Sequence, residues 1–254
     1  MRRLIGPFVA AALAICSAPA LADTASTPPG NPCAKDNGNP CKNNNGNLGH
    51  QGNVDHERVV INYDPPPISI EMPTVSDRGV FISQIGDSNQ ANVVQTAPNA
   101  FARIDQNGDS NDARVAQKGG GTAYLDSAQT GGGNFAHVTQ SGDGQNVAYV
   151  IQQGDNNWMW SDQLALGDVY NAARLTQKGD GNDMLLDQEG SNNRAVLTQD
   201  GNSNGMTAVQ LGQGNRLDWT QQGSNLSDLQ ITQTGGGGDG GKLSILQTNI
   251  GNPH

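Results

Sequence analysis

The sequence predicts an all-β fold, a β-solenoid of about seven two-strand coils with repeats of about 22 residues, preceded by a disordered arm. Three observations predict it: a composition too poor in apolar residues for a thick core, a glutamine recurring at near-constant spacing, and apolar residues alternating ahead of each glutamine.

Of the 254 residues, 34 are glycine, only 34% are hydrophobic and 4% are aromatic, so no isotropic core can be filled. Such a composition reads as disorder unless the core is thin and repeated, where each layer buries only a few side chains. The net charge is −10 and basic residues do not cluster, which argues against a nucleic-acid partner.

Residues 1–22 are expected to be a cleaved signal peptide. Arg2 and Arg3 precede an apolar stretch over residues 4–15, and Ala20-Leu21-Ala22 supplies a small-x-small cleavage site. Ile15 is a poor residue before a lipidated Cys16, and the apolar stretch is too short to span a bilayer. The chain is therefore expected to be secreted.

Residues 23–78 are low in complexity and rich in Pro, Asn and Gly, and are expected to form a largely disordered arm. Two short apolar pieces, Val59-Val60-Ile61 and Ile68-Ser69-Ile70, have the character to pair with something but are too short for independent strands. Cys33 and Cys41, with similar flanks, read either as a local disulfide or as two thiols in a flexible arm. Their spacing from His50 and His56 fits no common zinc pattern.

From residue 79 the character changes. Glutamines fall at Gln84, Gln95, Gln106, Gln117, Gln129, Gln140, Gln152, Gln163, Gln177, Gln188, Gln199, Gln210, Gln221, Gln233 and Gln247. Most spacings are 11 or 12, and the two spacings of 14, after Gln163 and Gln233, read as enlarged turns. Two residues after most of these glutamines comes a glycine, and five residues after comes Asn89, Asn111, Asn134, Asn157, Asn182, Asn193, Asn204 or Asn215. The glycine suits a bend with positive φ, and the asparagine suits a turn, bonding its backbone or adopting the left-handed conformation itself.

The positions two and four before each glutamine are apolar, as in Ile104 and Ala102, Leu175 and Ala173, or Trp219 and Leu217. Only Ser127 and Ser161 break the −2 series. Intervening positions mix Arg, Asp, His and Thr, so each repeat is one strand with one buried face. The glutamine lies on that buried face, where a lone amide is costly. Amides stacked one strand spacing apart bond one another, which requires like positions in register. A two-strand coil of about 22 residues achieves this; a hairpin meander does not.

The motif resembles the curlin repeat, Gln-x-Gly-x-x-Asn-x-Ala-x-x-x-Gln. The segments Gln84 to Gln95, Gln106 to Gln117, Gln129 to Gln140 and Gln188 to Gln199 match at every named position, and two more match with Met159 and Met184 in the Ala place. Gln95 to Gln106 lacks the glycine, and Gln117 to Gln129 has Thr122 where Asn is expected. The resemblance covers residues 79–249, with 250–254 as a tail. It implies a subunit of curli, the functional amyloid of biofilm matrix and adhesion. It further implies export through a dedicated outer-membrane pore, periplasmic accessory proteins, and a nucleating or major curlin as partner. Whether this chain is the nucleator or the major subunit stays open.

The last repeat is followed by no recognisable C-terminal cap, so polymerisation through open solenoid ends is expected. No catalytic acid–base constellation, cofactor motif or metal-ligand spacing emerges. A polysaccharide-active β-helix enzyme is therefore disfavoured, as is a calcium-binding β-roll, whose nine-residue Gly/Asp repeat is absent. A soluble secreted solenoid adhesin remains the alternative, with outward Tyr149, Ile151 and Trp160 as contact candidates.

Overall fold

A computed structural model describes residues 57–74, 78–236 and 240–249. The expectations for the signal peptide, for Cys33 and Cys41, for His50 and His56, and for residues 250–254 lie outside the described residues.

Sixteen strands are described: β1 (Arg58–Asn62), β2 (Gly79–Ile85), β3 (Gln90–Gln95), β4 (Asn99–Asn107), β5 (Asp112–Gln117), β6 (Thr122–Thr130), β7 (Phe135–Gly142), β8 (Asn146–Gln153), β9 (Trp158–Ala165), β10 (Asn171–Lys178), β11 (Asp183–Ser191), β12 (Arg194–Asp200), β13 (Gly205–Gln213), β14 (Arg216–Gln222), β15 (Gln230–Gly235) and β16 (Lys242–Thr248). From β2 onward they alternate between two sheets. Even-numbered strands stack as β16-β14-β12-β10-β8-β6-β4-β2, and odd-numbered ones as β15-β13-β11-β9-β7-β5-β3. Each stacked pair is parallel and joins like repeat positions, as in Gln152↔Gln177↔Gln199. The fold is the β-solenoid that the alternation predicts.

The core is the seam between the sheets, one layer of side chains from each. In the even sheet Leu175, Leu197, Trp219 and Ile245 stack in register. In the odd sheet Met159, Met184 and Met206 do the same. All seven are at most 2% exposed. Ser127 lies between Ile104 and Val150 in the even sheet and Ser161 between Val138 and Leu186 in the odd sheet, and their hydroxyls are buried without a hydrogen-bond partner.

The turns explain the glycines and refine the reading of the asparagines. Gly131 has φ 110°, and a Cβ there would run into the carbonyl oxygen of Gly154 one rung on. The left-handed residue of the turn is the one before the asparagine: Ser88, Ser110, Asn156, Asn192 and Ser203 all have φ of 56–60°, and Asn225 takes the same conformation before Leu226. The repeat asparagine itself is held as a bonded column.

Residues 57–74 had been placed in the arm expected to be largely disordered. They lie instead against the solenoid, and they overturn the expectation of an uncapped C-terminal end. Strand β1 pairs antiparallel with β16, from Arg58↔Thr248 to Asn62↔Ser244. Beyond it the chain packs on the outer face of the even sheet. Ile70 is 1% exposed and packs with Val147 and Ala172, flanked by Ile68, Met72, Tyr124 and Tyr149. The Tyr170 hydroxyl donates to the Ile70 carbonyl at 2.9 Å. The apolar pieces noted in the sequence supply these contacts; neither folds alone, and each needs a sheet that exists only once the solenoid forms.

Candidate self-assembly edges

Two amide ladders run the length of the solenoid. In the even sheet each glutamine Nε2 donates to the Oε1 of the next rung: Gln84 to Gln106 at 2.6 Å, Gln106 to Gln129 and Gln129 to Gln152 at 2.8 Å, and Gln152 to Gln177 at 2.9 Å. Gln177, Gln199, Gln221 and Gln247 continue at 2.9–3.0 Å. In the odd sheet Gln95, Gln117, Gln140, Gln163, Gln188, Gln210 and Gln233 are linked at 2.7–3.0 Å. The second Nε2 hydrogen reaches across the seam to the opposite sheet, as from Gln106 to the Gln90 carbonyl and from Gln117 to the Phe101 carbonyl, both at 2.9 Å. From Gln95 onward each amide therefore ties its own sheet along the axis and the two sheets across it, which removes the penalty of burying it.

The asparagines form two shorter columns. Asn111, Asn134, Asn157 and Asn182 each donate Nδ2 to the asparagine one rung earlier, beginning with Asn89, at 3.0–3.2 Å. Asn204 joins this column through its backbone N–H to Asn182. Asn193 and Asn215 belong to the second column, linked at 3.0 Å. Asn146 and Asn171 also occupy buried ladder positions. Their offsets from the preceding glutamine are six and eight residues, so a search at +5 misses them. Asn171 accepts from the Asn193 backbone N–H at 3.1 Å.

The two ends differ. Among the described residues, no strand pairs on the outer edge of β2 or β3 at the N-terminal end. Ile82 is 46% exposed, while Ile104, its neighbour one rung on, is 0% exposed. The ladders direct donors toward the C-terminus, so this end presents the acceptor oxygens of Gln84 and Gln95. At the other end Ile245 is 2% and Gln247 0% exposed beneath β1. There Gln247 Nε2 donates to a Glu57 carboxylate oxygen and to the Ser227 carbonyl. The Ser227 hydroxyl donates to Glu57 as well, at 2.6 Å. Burial pushes the Glu57 carboxyl up, but the hydrogen bonds from Ser227 and Gln247 outweigh it and hold the group below its ordinary value.

The outer faces carry stacked polar and aromatic columns. His137 and Trp160 stack with ring centroids 3.9 Å apart, and Trp160 Nε1 donates to Asp162 at 2.7 Å. Tyr149 sits under the Ile68–Met72 stretch, and Ile151 is 36% exposed. Rings stacked along the axis turn their edges, not their faces, to solvent. Burial first, and then the like charge of Asp228, raises the Asp183 carboxyl; burial first, and then Asp162 one rung away, raises the Asp187 carboxyl. Among the described residues no group of three or more His, Cys, Asp or Glu is arranged to hold a metal ion.

No curated protein and no solved structure matches the chain. A family model described as the curlin associated repeat matches residues 170–201. That segment begins at Tyr170, spans β10, β11 and β12, and ends at Gly201, one full coil and the start of the next. Gln177, Gln188 and Gln199 within it hold the same ladder bonds as their counterparts in the other rungs. The chain thus holds a segment similar to the curlin associated repeat, in a β-solenoid whose other coils repeat its geometry.

Proposed function

We propose that this chain is a structural subunit of an extracellular, curli-like amyloid fibre, growing end to end by β-strand addition. The observation that carries the reading is the open N-terminal edge. There two in-register ladders stop with inward apolar residues exposed and amide acceptors unbonded, a surface completed by another rung. The partners are other copies of the chain and a nucleating or major curlin. Secretion through a curli pore with periplasmic accessory proteins, and a place in biofilm matrix and adhesion, follow from the same reading. So do the structural roles of the glutamine and asparagine columns.

The test is to dilute unfolded chain into buffer and follow thioflavin T and fibre diffraction. Fibres with a reflection at about 4.7–4.8 Å are expected. Gln84→Ala should slow elongation more than Gln163→Ala, because only the first changes a joining face. Chain that stays soluble for days refutes the fibre and favours a second reading, a soluble secreted solenoid. The covering of β16 by β1 is the observation on that side.

A further inference from the structure

The antiparallel strand at the C-terminal end sets a condition on assembly. Every other strand pairing in the solenoid is parallel, and β1 alone is antiparallel. It sits where the next even-sheet rung of a fibre belongs. It brings no glutamine to that position; the ladder meets Glu57 instead. An ionised carboxylate accepts hydrogen bonds and donates none, so it ends a ladder in which every member must do both.

β1 pairs with β16 over five residues, where β14 pairs with it over seven. Val59, Val60 and Ile61 are 40–46% exposed, whereas the inward residues of β16 are 6% exposed or less. A second copy arriving by its N-terminal edge would bury both of its own exposed inward columns and offer Gln Oε1 acceptors in place of the carboxylate. It would also extend both sheets, where β1 extends one. The monomer keeps β1 in place because it is tethered, and an intramolecular strand needs no concentration to bind.

We infer that β1 is a displaceable stop, and that β1 and a second copy of the chain compete for the same edge of β16. This rests on the fibre reading and adds to it a growth step gated by release of residues 57–62. Monomer is protected at its C-terminal end, and addition to that end requires the exchange of an antiparallel strand for a parallel one.

The test is a reversible lock. Val60 and Leu246 face each other in the β1–β16 register, and both are exposed. Directly paired strand residues lie within the Cα separation a disulfide spans, roughly 4.4–6.8 Å. Val60→Cys with Leu246→Cys is made in the chain from residue 23 onward, with Cys33→Ser and Cys41→Ser, beside a control carrying only the serine changes. The compact unit that contains β1 and the solenoid, His56–Ile250, is left whole.

Oxidised, the locked chain should elongate seeds at a rate reduced by about tenfold or more, and reduction should restore the control rate. A trace of oxidised chain should also poison elongation of the control, because it joins by its free N-terminal edge and presents a closed end. Glu57→Gln, which leaves β1 uncrosslinked, should shorten the lag. Equal growth of oxidised and reduced chains beside a growing control overturns the stop and leaves the fibre reading standing. A control that forms no fibre overturns both.

Discussion

Asp187 on β11 faces outward, in register with Asp162 on β9. Burial first, and then Asp162 and Glu189, raise its carboxyl above the ordinary carboxylate range. A carboxyl raised in the fold contributes stability that is fully present below its unfolded value and is lost as pH rises through the folded one. The solenoid therefore becomes firmer as pH falls from neutral toward that range. Glu57 is held below its ordinary value, so its contribution to the β1 contact has the opposite sign: present above the unfolded value and lost as pH falls through the folded one. Asp187→Asn should raise the melting temperature at pH 7 and flatten its rise on acidification. Asp187 is half exposed, so screening keeps the gain below about 1 kcal/mol. Thermal melts of both chains from pH 4 to 7.5 check this, and parallel pH profiles would contradict it.

At the scale of the element, the unit is a strand ending in a turn that must fit under the next turn. Gly131 shows why the +2 glycine recurs: its φ of 110° disfavours a side chain, and a Cβ would collide with the carbonyl oxygen of Gly154. The rung above is fixed by ladder bonds on both sheets, so the clash cannot relax locally. Gly131→Ala should lose about 3 kcal/mol or more by chemical denaturation. Gly236 has no atom within 4 Å of such a Cβ, and Gly236→Ala should leave stability within about 0.5 kcal/mol of wild type. A loss at Gly131 no larger than that at Gly236 would show that neither the positive φ nor the rung spacing demands the glycine there.

Across the whole molecule the count of strands matters. β2 to β16 alternate between sheets, and both the first and the last lie in the even sheet. The C-terminal rung is therefore half filled. A second copy that continues the layers without a gap must place its β2 on β15 and its β3 on β16. In a fibre, successive copies should then be related by a half-turn about the axis beyond the twist of the coil. The rise should be about 36 Å, seven and a half rungs at roughly 4.8 Å each. Helical reconstruction of fibres measures both, and copies repeating without the half-turn would contradict gapless stacking.

The sequence alone determined the repeating part. Alternation ahead of each glutamine makes strands, and glutamines on the apolar side need like neighbours, so the register follows from the need to satisfy a buried amide. The glycine positions were legible for the same local reason. Asn146 and Asn171 were not, because enlarged turns shift their offset while the stack still delivers them to the column. Nor was the seat of β1, or of Ile70 against Val147 and Ala172. Both are contacts with the finished sheet, and short apolar pieces in a Pro-rich stretch carry no period that names a distant partner. Only the tertiary structure decided that the two ends are unlike, because an edge exists only after the rungs have stacked.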